Sequence, residues 1–148
     1  MGSLNVPPGA RVYVDANALI YTVEAVTPYA HLLAPLWLRA NDGEITLVTS
    51  DLTLMEVLVK PLKLGSRHLI DGYEQTFRAR QLRVEPVSLK VLREAAALRA
   101  TAALKTPDAI HAATALTLGC THLVTNDSMF LRIRQLQVVV LNDLLRAP

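Results

Sequence analysis

The sequence predicts one α/β domain whose largely parallel sheet, of about five strands, is covered by helices on both faces. Three observations carry that prediction. Five short apolar runs rich in β-branched residues recur along the chain, helical patterns separate them, and most of those helices open at a serine or threonine suited to capping. Strands that alternate with helices pair in parallel, because each crossover must lay an amphipathic helix back onto the sheet.

"RVYVD", Arg11 to Asp15, is the first strand and ends at an acid. "PYAHLLAPLWLRA" follows as a helical pattern that Pro35 interrupts, which predicts a kinked helix or two short ones. Leu32, Leu33, Leu36 and Trp37 either pack into the core or, if Pro35 breaks the helix, leave a patch suited to self-association or to docking a partner. "ITLVTS", Ile45 to Ser50, is the second strand, and Ser50 caps a helix over Asp51 to Val59. Ser66 caps the next helix, through about Arg80, and "LRVEPV" is the third strand. Ser88 caps the Ala/Leu-rich run "LKVLREAAALRATAAL". Thr106 before Pro107 reads as a cap followed by a first-turn proline, opening a helix that Gly119 stops. "THLVT" and "LQVVVL", Leu136 to Leu141, complete the sheet.

Composition agrees with a single domain over residues 1–148, since 51% of residues are apolar and 19% charged, a balance that excludes disorder. The nine residues from Met1 to Gly9 are expected to be a flexible start or a cloning remnant. Cys120 stands alone, which rules out an internal disulfide and a cysteine zinc site, and it reads as a small buried hydrophobe. No apolar run approaches the roughly 18 residues of a membrane helix, and no basic segment leads into an apolar one at the start, so a cytoplasmic protein without membrane contact is expected. The net charge of +2 carries little information by itself. Its distribution carries more: Lys60 to Arg83 holds six Lys/Arg against Asp71 and Glu74. With Tyr73 and Phe77 interleaved, that segment is a candidate RNA-binding surface through Lys63, Arg67 and Arg80.

Four acids fall where such a sheet would gather them. Asp15 and Asp127 follow predicted strands, Asp108 opens a helix, and Glu56 lies within two turns of the start of another. Ligand crevices in open α/β sheets lie outside the carboxyl ends of the strands. Each acid alone has a plain structural explanation as a turn, cap or dipole residue. Together, on otherwise apolar segments such as "LTLMEVLV" and "AIHAATAL", they form a cluster whose mutual repulsion calls for a cation. All-oxygen donors suit Mg²⁺ or Mn²⁺, and the chemistry that follows is metal-assisted phosphodiester hydrolysis. His111, three residues after Asp108, is expected to pack or to orient a ligand rather than to bind zinc.

"VDANALIY" with Asp15, "SDLTLMEVL" with Glu56, "TPDAIHAATAL" with Asp108 and "LVTNDSMF" with Asp127 resemble, in order and spacing, the four acidic motifs of PIN-domain ribonucleases, particularly the VapC toxins of toxin–antitoxin pairs. The resemblance runs from about Val12 to Leu141. It implies a three-layer α/β/α PIN-like domain and a Mg²⁺- or Mn²⁺-dependent endoribonuclease that works with an antitoxin partner, as a homodimer. It also implies a metal site at Asp15, Glu56, Asp108 and Asp127, organised by Asn17 and Thr125. Water rather than the ribose 2′-hydroxyl would be the nucleophile, so the preference for RNA rests on the resemblance. Two rivals are an aspartyl-phosphate enzyme and a catalytically silent PIN module that binds RNA or a protein partner. "VDANAL" lacks the second aspartate, and no lysine follows a late strand as the first rival requires.

Overall fold

The computed structural model describes residues 2–148. Five strands form at the β-branched runs: β1 (Arg11–Val14), β2 (Thr46–Ser50), β3 (Leu82–Glu85), β4 (His122–Thr125) and β5 (Gln137–Val140). Seven helices surround them: α1 (Ala16–Val23), α2 (Tyr29–Asn41), α3 (Asp51–Leu64), α4 (Arg67–Arg78), α5 (Leu89–Ala102), α6 (Thr106–Thr117) and α7 (Leu141–Arg146). All four strand pairings are parallel, in the order β3-β2-β1-β4-β5. The chain therefore builds outward from β1 to β3, then crosses back to place β4 on the other side of β1. That reversal opens a crevice at the carboxyl ends of β1 and β4.

The alternation of side chains along each strand divides the core in two. Val12, Val14, Leu47 and Val124 face one side, where α1 and α2 bring Leu19, Leu33 and Leu36 and α4 brings Tyr73. Tyr13, Val48 and Leu123 face the other, under α5 and α6. Four alanines of α6, Ala109, Ala112, Ala113 and Ala115, are fully buried. Their small side chains let this helix lie close against the sheet, which sets the depth at which His111 enters.

Several boundaries differ from the sequence expectation, each for a local reason. Pro35 sits inside a continuous α2, and Leu32, Leu33 and Leu36 are buried while Trp37 is half-buried and donates to Thr22 Oγ1 at 3.0 Å. Leu32, Leu33 and Leu36 are core, so the patch expected of a broken helix does not form from them, whereas Trp37 keeps one edge at the surface of α2. α3 runs past Val59 through Pro61 and ends at Gly65, whose φ of 63° permits the left-handed stop. α6 is preceded by Lys105 without a side-chain cap, and Thr106 is already helical. α1 and α7 had no clear pattern; α1 is capped by the acid that ends β1, since Asp15 accepts from the Ala18 N–H at 3.2 Å. Residues 2–9, expected as a flexible start, instead lie against the domain. Gly2 N donates to Leu144 O at 2.7 Å, Val6 is 3% exposed, and Arg39 Nη1 donates to Val6 O at 2.8 Å. Met1 lies outside the described residues.

Candidate active site

Four elements deliver the acids. Asp15 leaves β1, Glu56 lies in the second turn of α3, Asp108 is in the first turn of α6, and Asp127 follows β4. They meet in a cavity of about 120 Å³ lined by Asp15, Asn17, Glu56, Asp108, His111, Asp127 and Phe130, among others. The expected carboxylates thus share one small space, and Asn17 stands in its wall. Among the described residues, the larger depressions on α5, on α2 and beside β3 bring at most one acid, Glu85, into their walls.

Asp15 is the most deeply held. It is 4% exposed, and burial pushes its pKa up to about 6, against the opposing pull of the Thr125 hydroxyl, of His111 and of the Ala18 N–H. Thr125 donates to Asp15 Oδ2, and its oxygen accepts from the Asp127 N–H at 2.9 Å. One buried hydroxyl therefore ties the two acids together across the β1/β4 boundary. Asp127 Oδ1 accepts from Met129 N at 2.9 Å and so caps the 3-10 turn Ser128–Arg132. Asp127 is a turn residue and a cavity residue at once. Asn126, between the two, donates to Tyr21 Oη at 3.0 Å and accepts from Asn142 N at 2.9 Å, which pins the end of β4 to α1 and α7.

Asp108 is half-buried, and its pKa is raised by burial first and then by the charge of Asp127, with His111 opposing. Glu56, with its side chain 28% exposed, is held from behind by His111, whose Nε2 lies 2.6 Å from Glu56 Oε1. A carboxylate only accepts, so Nε2 carries a proton and donates. In the neutral ring Nδ1 then accepts from the Tyr13 hydroxyl, 2.6 Å away. Tyr13 is fully buried, and burial raises its phenol pKa, so it remains a donor. The result is a hydrogen-bonded row, Tyr13 to His111 to Glu56, that fixes the direction of one cavity acid. The sequence marks His111 as an orienting or packing group but gives no such prominence to Tyr13. The available signal was position, two residues before Asp15 and on the opposite face of β1 from Val12 and Val14.

Whether the cavity suits a divalent cation can be judged from its donors. Among the described residues, no three His, Cys, Asp or Glu side chains stand close enough together to hold a metal ion as they are oriented. The chemistry of the set nevertheless fits: it is carboxylate oxygen, and both Asp15 and Asp108 are pushed toward protonation by burial and by neighbouring carboxylates, as expected of acids crowded without a cation.

The basic residues expected to grip RNA do not reach this cavity. Lys63 lies about 10 Å further along α3 than Glu56 at 1.5 Å per residue, at the helix's far end. Arg67 begins α4 and faces Asp71 at 3.8 Å, and Arg80 lines a separate depression with Ala40, Asn41 and Gln81. Lys60, Arg78 and Arg83 are likewise matched, to Glu24, Glu74 and Glu85.

The PIN domain profile matches residues 12–136, most of the chain. The chain belongs to the PIN domain family. No curated protein matches the sequence. Among solved structures, a toxin–antitoxin complex from Klebsiella pneumoniae superposes with a TM-score of 0.69 at 24% identity, covering 88% of this chain and 97% of the other. VapBC2 from Rickettsia felis, bound to a DNA fragment from its promoter, gives 0.68 at 21% identity over 87% and 97%. VapC20 of Mycobacterium tuberculosis, described as a Sarcin–Ricin loop cleaving toxin, gives 0.62 at 15% identity over 76% and 86%. At these identities the likeness is one of fold, and this PIN chain shares its three-layer α/β/α architecture.

Proposed function

We propose that this PIN-domain chain is a Mg²⁺- or Mn²⁺-dependent endoribonuclease and the toxin of a toxin–antitoxin pair. The observation that carries the reading is the convergence of four carboxylates, from four separate elements, on one 120 Å³ cavity at the β1/β4 switch. Toxin–antitoxin proteins of the same fold, and a Sarcin–Ricin loop cleaving toxin among its structural neighbours, support it.

Asp15, Glu56, Asp108 and Asp127 would hold the divalent cation, which supplies charge neutralisation to the phosphodiester and a lowered pKa to water when bound. The chain's own groups do the rest. Thr125 and the Ala18 N–H fix the Asp15 carboxylate, and the Tyr13–His111 row fixes Glu56. One of the four carboxylates would take the proton from the attacking water. Phe130, 1% exposed, backs the cavity with an apolar wall that limits the water around these charges.

Two partner contacts belong to the same proposal. Met55, Val59 and Leu62 form an exposed stripe at i, i+4 and i+7 on α3, at 56%, 43% and 62% exposure, and Leu89 and Leu92 are exposed near the start of α5. Such a stripe supports a homodimer. An apolar groove of about 450 Å³ lined by Ala30, Ala34, Trp37 and Leu38 supports an antitoxin seat on α2. This chain should cleave single-stranded or structured RNA with Mg²⁺ or Mn²⁺ and stop in EDTA, with Asp127→Asn as the inactive control. Binding of RNA with no metal-dependent cleavage would refute the enzyme and leave a binding module.

A further inference from the structure

Positive charge beside four carboxylates eases the approach of a polyanion, and the segment expected to provide it, Lys60 to Arg83, contributes no residue to the cavity wall. A different basic surface starts one residue along the chain from a cavity-lining residue. An open groove of about 910 Å³ runs between the C-terminal end of α5 and the segment that leads into β5, lined by Thr101, Ala103, Leu131, Arg132, Arg134 and Gln135, among others. A single step of the chain separates the two linings: Phe130 lines the acid cavity and the next residue, Leu131, lines the groove.

The charge of this surface is of one sign. Residues 95–107 and 128–142 contain Arg99, Lys105, Arg132 and Arg134 and no Asp or Glu. Among the described residues none of these four has a carboxylate within the 4.0 Å of an ion pair, whereas Lys60, Arg67, Arg78 and Arg83 all do. Arg132 Nη1 donates to Ala102 O and Ala103 O, at 3.4 and 3.1 Å, and so satisfies the end carbonyls of α5, while its other guanidinium nitrogens make no hydrogen bond among the described residues. Arg132 ends the 3-10 turn and Arg134 lies in the turn that follows; the buried Ile133, 2% exposed, separates them, and both arginines are exposed and line the groove. Arg132 and Arg134 share the groove wall with Leu131, which at 54% exposure offers an apolar surface on which a base can lie.

We propose that this groove is the phosphate-binding track that leads a single RNA strand into the acid cavity. The proposal rests on the nuclease reading above for its substrate, and the alternation of a positive track with a negative pocket gives it a direction: phosphates are held by Arg132 and Arg134, and the next phosphodiester reaches the carboxylates.

The test is fluorescence anisotropy of a fluorescein-labelled, mixed-sequence single-stranded RNA titrated with the full chain in EDTA over a range of NaCl concentrations, alongside cleavage assays in Mg²⁺. Each phosphate that a variant no longer neutralises lowers the log–log salt slope by about 0.7. Arg134→Ala, which removes no hydrogen bond seen among the described residues, should lower the slope by about that amount, and Arg132→Ala with Arg134→Ala by about twice it. Melting curves of the double variant confirm that it is folded. If the slope falls in these variants while wild type cleaves nothing, the track stands and the nuclease reading falls. If wild type cleaves in Mg²⁺ and the double variant binds with the wild-type slope, the track falls and the nuclease reading stands. A reduced slope in Lys63→Ala, Arg67→Ala, Arg80→Ala and not in the groove variants would place the track elsewhere and overturn the proposal. A glutamate-rich peptide that binds the groove where RNA does not would assign it to an acidic protein partner, with the same consequence.

Discussion

Replacing Asp15 by Asn removes a buried negative charge while keeping the shape of the side chain. Asp15 is 4% exposed, and its pKa stands at about 6 against 3.8 for an unburied aspartate. Two units correspond to about 3 kcal/mol, and at this depth solvent screening offers little discount. The sign follows from proton counting. Between pH 3.8 and about 6 the folded chain holds a proton that the unfolded chain has released, so stability falls as pH rises through that window, and the full cost is present above it. The amide accepts from the Ala18 N–H as the carboxylate did, but it presents a donor to the Thr125 hydroxyl, which now donates to Asp15. That mismatch costs about 1 kcal/mol. In metal-free buffer near pH 7.5, Asp15→Asn should therefore be more stable than wild type by about 2 kcal/mol, or roughly 4–8 °C in Tm for a chain of this size. Near pH 4 the advantage should vanish or reverse, because the wild-type acid is then neutral. Melting by circular dichroism at both pH values, in EDTA, measures the difference. A variant less stable than wild type by the same amount at both pH values would refute the reasoning, since Asp15 would then contribute by its hydrogen bonds and not suffer by its charge.

The remaining predictions use other parts of the site. Asp127→Asn should lose most of the Mg²⁺-dependent rise in melting midpoint and at least about tenfold in cleavage rate, equivalent to about 1.4 kcal/mol, whereas Asp51→Asn should lose only about 0.3–1 kcal/mol of helix-dipole stability, as denaturant melts and an RNA cleavage assay would report. Tyr13→Phe leaves the buried His111 Nδ1 without its donor and should cost about 1–3 kcal/mol in stability; a smaller loss of cleavage than in Asp127→Asn would mark Tyr13 as a positioning residue that acts through Glu56. Met55→Glu with Leu62→Glu should convert a dimer to a monomer in sedimentation at micromolar concentration with the melting curve little changed, because both side chains are more than half exposed.

The acid that ends β1, the serines before α3, α4 and α5, and the glycine after α6 are local signals, and each was legible because strand alternation and helix capping operate within a few residues. Asp15 and Asp127 were legible as a pair for the same reason: an acid after a parallel strand must lie at the sheet's carboxyl edge. α1 escaped because Asp15 both ends a strand and caps a helix, with no polar interval to mark the change. Pro35 misled for a related reason, since a helix packed onto a core through Leu32, Leu33 and Leu36 tolerates one missing N–H that an isolated helix would not.

By itself the sequence determined the parallel α/β class, the positions of its strands and the four carboxylates that meet, because these follow from periodicities and end signals a few residues long. Only the tertiary structure decided what stands behind and beside those acids. Tyr13 meets His111 across 98 residues and His111 meets Glu56 across 55, and the groove that carries Arg132 and Arg134 is built from the end of α5 and the approach to β5 rather than from the most basic stretch of the chain. Those pairings depend on the strand order β3-β2-β1-β4-β5, which sets which helix ends share an edge. Strand order arises from the packing of whole layers, and no local run of residues encodes it.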